Sequence, residues 1–265
     1  CCLLPSSKQR SDCTDGSTCY APRESVNEVL PILLPALFFG SIFSAIAGSG
    51  LGIIMIIVFT MFFDIQTSLV LGVLLGFVIL PIKAFHFHKH IDWRFTRLFV
   101  VLGLPCGYIG GLLMFDIPIR GLEIILSILC FLFIVSRLSP WKFSIRDTTS
   151  NLVILGAIAG FQSGITGVGN LFRNPMLLAL GLSKERYIGT GAMIAFFVSF
   201  GKIIAYIPNV QWTTDLKMLL LITIPPVFIG MYIGKKMHTY ISKALFEKLV
   251  LLVIFIGAVK LLLFP

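Results

Sequence analysis

Charge is scarce in this chain. Asp, Glu, Lys and Arg make up 12% of its 265 residues, against about a quarter in a soluble domain. So few charges cannot cover a water-facing globular surface, which excludes a soluble domain beyond a short polar N-terminal stretch. The twelve acidic residues stand mostly at the ends of apolar runs, and none forms a credible pair for acid–base chemistry. Histidine is rare too. His86, His88 and His90, in HFHKH, lack the clustered Cys or carboxylate partners of a zinc site. They read as a solvated loop cluster, with a proton-coupling role as the alternative. No CxxC pair with a matching partner occurs. These absences argue against an enzyme and predict no resident cofactor and no metal. The net charge of +9 would suggest nucleic acid in a soluble protein. In so apolar a chain it is expected in loops on the cytoplasmic side of a membrane, and no nucleic-acid partner is expected.

What is present is apolar. Hydrophobic residues make up 57% of the chain, the mean hydropathy is +0.98, and several runs approach the ~20 residues that cross a bilayer. The fold class is an all-α polytopic membrane protein with the lipid bilayer as a partner. Residues 1–29 are polar and turn-rich. They carry Cys1, Cys2, Cys13 and Cys19, and a Cys13–Cys19 disulfide in an oxidising compartment is expected; free or lipidated cysteine and a metal are the alternatives. The first residue is not Met, so a signal peptide or further upstream sequence is an open expectation. Cys106 and Cys130 lie in apolar runs and read as packing residues.

Two stretches organise the rest, SAIAGSGLGIIMI at Ser44–Ile56 and SGITGVGNLFRNP at Ser163–Pro175. Each centres on Gly-x-Gly inside an apolar run, where glycine breaks a helix. Around them the chain divides into a first membrane repeat (30–135), a linker (136–150) and a second membrane repeat (151–265). The halves align at an offset of 119: Ser44 on Ser163, Gly48 on Gly167, Gly50 on Gly169, Gly72 on Gly191, Phe77 on Phe196, Lys83 on Lys202 and Trp93 on Trp212. Matching Gly, Lys and Trp at one spacing predicts internal duplication. Each half reads as a Gly-broken re-entrant or hairpin helix pair plus three spanning helices. An odd number of spans turns the second half upside down, giving two inverted repeats. Twelve Lys and Arg in 88–97, 137–146, 184–186 and 235–248 fall on one side. The six at Lys8, Arg10, Arg23, Arg120, Lys217 and Lys260 fall on the other. The richer side is expected to be cytoplasmic, with the N-terminus extracellular or lumenal.

Helix breaks in hydrocarbon persist only where protein or a cavity satisfies the freed backbone groups, and a helix restart presents N–H groups and a positive dipole end. The expected small-anion site therefore comprises Ser44, Gly48, Ser49, Gly50, Ser163, Thr166, Gly167, Gly169, Asn170 and Arg173, with the two breaks facing each other near the bilayer midplane. The glycines alternatively serve close helix packing, and the hydroxyls alternatively bond back to their own helix. Arg173 is an intramembrane charge and hence a functional candidate. Lys83 and Lys202 read either as ion-path residues or as snorkelling side chains.

The run GITGVGNLFRNPMLLALGLSKERYIGTGAMIAFFVSFGKIIAY resembles the second-repeat signature of the sulfite exporter TauE/SafE family. The shared features are a Gly-rich break, a following Pro, a Leu-Gly-Leu turn, a Gly-Thr segment and a Lys before a Tyr. The first half carries a weaker copy, and the duplication covers nearly all of 30–265. Asn170 stands where that family often has another glycine, and the first break reads Gly-Ser-Gly-Leu-Gly. The resemblance implies a membrane carrier, an exporter of sulfite, sulfonates or related small organic anions. An anion channel and a non-transporting membrane subunit are the other expectations, and a homo-oligomer or larger membrane assembly is open.

Overall fold

In a computed structural model, residues 26–47, 51–138, 146–210, 212–237 and 243–263 are described, and they contain helix and no strand. The Cys13–Cys19 pair and the first break, Gly48–Gly50, lie outside the described residues.

The described helices fall into two sets of five in the same order. The first set is α1 (Val26–Ala47), α2 (Leu51–Phe59), α3 (Ile65–His86), α4 (Trp93–Asp116) and α5 (Ile119–Leu138). The second is α6 (Thr149–Thr166), α7 (Asn170–Ala179), α8 (Lys184–Tyr206), α9 (Thr214–Met237) and α10 (Lys243–Leu263). The starts of α2 and α7, and of α3 and α8, are 119 residues apart, the offset of the sequence alignment. α2, the second limb of the first pair, is a nine-residue helix, and α5 runs for 20 residues.

Several of the few polar residues start helices. Asp64 accepts from the Thr67 N–H at 3.0 Å, Asp92 from Arg94 and Phe95 at 3.1 and 3.3 Å, Thr148 from Asn151 at 3.4 Å and Thr213 from Leu216 at 3.2 Å. Each satisfies N–H groups that the first turn leaves without a partner. Among the described residues, three segments are long and apolar enough to cross a membrane: Trp93–Asp116, Arg186–Asn209 and Leu216–Gly234. On α4 and α9, Val101, Ile109, Leu221 and Tyr232 point outward, exposed, as lipid-facing side chains do.

The main contacts cross between the sets. α4 packs on α6 and α1 on α9, which are equivalent pairings; α3 packs on α8, and α5 on α10. At the α3–α8 crossing Phe77 stacks on Phe196, its partner in the alignment, with ring centroids 5.1 Å apart. Phe87, just past α3, lies against Gly189, near the start of α8. The two equivalent helices therefore run antiparallel.

Polar contacts identify the ends. At one end the Asp92 N–H donates to Thr190 at 2.9 Å, and Arg94 pairs with Asp147 at 3.1 Å. The starts of α4, α6 and α8 meet there. At the other end Arg120 donates to the carbonyls of Leu261 and Leu262 at 3.1 and 2.6 Å, and Lys260 to that of Thr60 at 3.0 Å.

Candidate functional site

The second break is built by α6, α7 and α8. α6 ends at Thr166, and Gly167 follows with φ of 67°, a left-handed conformation that glycine adopts without a steric penalty. Val168 is buried in the core. α7 restarts at Asn170, its first-turn closure being the Arg173 N–H to the Gly169 carbonyl at 3.2 Å.

α8 supplies two side chains to this break from successive turns. Lys202 is 4% exposed. Its Nζ donates to Ser163 Oγ at 3.0 Å and to the Gly167 carbonyl at 3.1 Å. Tyr206, 1% exposed, donates its hydroxyl to the Gly164 carbonyl and packs edge-on against Phe115. Gly164 and Gly167 are carbonyls that a helix end leaves without an i+4 partner, and α8 covers both. Lys202 therefore does not snorkel. Its ammonium turns into the bundle, and both of its acceptors are neutral.

Arg173, one turn into α7, is also buried. A Cβ at Gly169 would lie 2.9 Å from Ser163 Oγ and 3.3 Å from Arg173 Nη1; the absence of a side chain there keeps the space between hydroxyl and guanidinium open. A small cavity occupies this region, lined by Ser163, Gly169 and Arg173 on its polar side and by Phe99, Ala159, Gly160, Ile194 and Val198 elsewhere. It has room for about one water molecule.

The expected site residues separate here. Ser163, Gly167, Gly169, Arg173 and Lys202 come together. Thr166 stands apart from them chemically: its hydroxyl donates to the Gln162 carbonyl of its own helix at 2.9 Å and accepts from Gln162 Nε2 at 2.6 Å. Asn170 opens α7, and its side chain is outside the described set. So are the side chains of Ser44 and Lys83; with Gly48, Ser49 and Gly50 also outside it, the approach of the two breaks is not described. Gly167 packs on Leu69, one turn inside the start of α3, and Lys202 is one turn from the end of α8.

Sequence reasoning did not place Tyr206 or Gln162 in the site. Tyr206 follows Lys202 by four residues, the spacing that puts two side chains on one helix face, and this was a readable signal. Gln162, whose Nε2 also donates to the Val168 carbonyl at 3.1 Å, carried no comparable mark. A second missed feature is the support behind the site. Gly156, Gly160 and Gly164 on α6 recur every four residues, as do Gly103, Gly107 and Gly111 on α4. The backbones of the two helices touch along this line: a Cβ at Gly160 would run into the Gly103 carbonyl, and one at Gly164 into that of Gly107. Such small-residue seams let membrane helices approach closely.

Compared with known proteins, residues 33–261 match the model of the family described as sulfite exporter TauE/SafE. No curated protein and no solved structure matches the chain.

Proposed function

The chain belongs to the sulfite exporter TauE/SafE family, and from this premise we propose that it is a secondary transporter exporting sulfite, a sulfonate or a related small organic anion through the second helix break. The observation that carries the reading is Lys202. Lys202 is buried and both of its hydrogen-bond acceptors are neutral, so when protonated it carries positive charge that an anion would compensate, since buried charge without a counter-charge is costly. Arg173 lines the cavity beside Ser163 and adds a second buried basic group, and the start of α7 adds N–H groups and a positive dipole end. The cavity is too small for sulfite as it stands, so entry requires α7 or α8 to move, as carriers require and open pores do not.

The two halves form inverted repeats in this reading. Its supports are the shared helix order and the antiparallel run of α3 against α8. Lys142 and Lys236 then face the cytoplasm, and Arg10 and Lys260 face outside, where the Cys13–Cys19 disulfide would form. Cysteines placed at 142 and 10 should be labelled from opposite faces of sealed vesicles; labelling from the same face contradicts the inversion. For transport, the test is counterflow of radiolabelled sulfite in proteoliposomes. Saturable counterflow is expected. Unitary currents, or neither signal for sulfite and a panel of sulfonates, would contradict a carrier.

A further inference from the structure

A helix break has two ends of opposite polarity. The start of α7 carries roughly half a positive charge, and the end of α6 roughly half a negative one. Left alone, the pair would not strongly prefer either sign of ion. α8 removes the symmetry. Lys202 places its ammonium on the Gly167 carbonyl and Tyr206 its hydroxyl on the Gly164 carbonyl, so the carbonyl end of α6 is covered from one side.

Lys202 also sets the direction of a second group. An ammonium only donates, so at 3.0 Å Ser163 Oγ accepts from it. The Ser163 hydrogen then has to go elsewhere. Thr166, three residues on, donates to its own helix; Ser163, among the described residues, donates to no protein group. It is 2% exposed and lines the cavity beside Gly169 and Arg173. Its unused O–H is thus a donor in that cavity.

We propose that Lys202 is the residue that sets the specificity of the break: by donating to Ser163 and Gly167 it hides the acceptors of α6 and presents the Ser163 O–H, leaving a site made of donors. Such a site selects a fully ionised oxyanion, whose oxygens only accept, over a cation or a neutral molecule that must also donate. The inference rests on the anion-transport reading and names the determinant within it. Lys202 acts partly through Ser163, as a positioning residue, and partly by its own charge.

The experiment is equilibrium binding of sulfite to the purified full chain, with S163A, K202M, S163A/K202M and K202R compared. A hydrogen bond to a charged group supports a loss of about tenfold or more in affinity. S163A and K202M should each show that loss, the double variant should bind no worse than the weaker single one, and K202R should recover part of it. Losses that multiply in the double variant would overturn the positioning role. So would unchanged affinity in folded S163A, which decides the matter alone should K202M fail to fold. Sulfite binding without counterflow contradicts the transport reading and leaves this one standing; no binding of sulfite or of the sulfonate panel by the wild-type chain overturns both.

Discussion

α6 carries glycine for two different purposes, and the contrast separates scaffold from site. Gly156, Gly160 and Gly164 face α4, where carbonyls of Phe99, Gly103 and Gly107 occupy the space a side chain would need. Gly167 and Gly169, just beyond the helix, face Leu69 in one case and the Ser163–Arg173 cavity in the other. The first set is pressed against backbone, which cannot step aside. Gly169 meets only side chains, which can, and a Cβ at Gly167 would meet the Leu69 side chain and carbonyl at 3.3–3.4 Å. Residue type alone does not distinguish the two. The distinction lies in what stands opposite: main chain for packing, and at Gly169 polar side chains around a place where a ligand can sit.

The comparison is broken most severely by Gly160→Val. A side chain there meets the Gly103 carbonyl, and overpacking against rigid main chain should cost more than about 3 kcal/mol. Yield of monodisperse protein and thermal midpoint report it, and a near-normal midpoint would show the seam to be looser than described. Gly169→Val should do the reverse. The protein should reach the membrane with a midpoint well above that of G160V, while sulfite counterflow is lost because the side chain fills the space between Ser163 and Arg173; wild-type counterflow from this variant would make the break a packing feature. Gly167→Ala sharpens the comparison at the backbone. At φ of 67° an alanine costs about 1–2 kcal/mol, so a modest drop in midpoint is expected, and no drop would mean that the break rearranges freely. Arg94→Gln gives the smallest effect. The Arg94–Asp147 pair is about half exposed on both sides, and such pairs contribute at most about 1 kcal/mol; chemical denaturation should barely distinguish the variant from the wild type.

Much of this was legible in the sequence. The Gly167–Gly169 break, the restart at Asn170 and the 119-residue offset follow from where glycine interrupts apolar runs. Lys202 could be named but not oriented. α8 is apolar almost all round, so its pattern does not say which face turns inward, and a lysine near the end of a span snorkels or is buried according to its neighbours. The glycine seam was present as two runs at four-residue spacing, yet nothing in one run names the other as its partner; that α4 meets α6 across the halves is a tertiary fact. Ser163 and Thr166 look alike in sequence, and only the ammonium arriving from α8 makes one a donor to the cavity while the other returns to its own helix.

Selenite has the shape and charge of sulfite and carries an anomalous scatterer. Crystals of the wild-type chain soaked in selenite should give an anomalous peak between Ser163, Gly169 and Arg173, within hydrogen-bond reach of Ser163 Oγ, and Gly169→Val crystals should lose it. A peak elsewhere in the bundle that persists in Gly169→Val would contradict the assignment of the second break as the anion site.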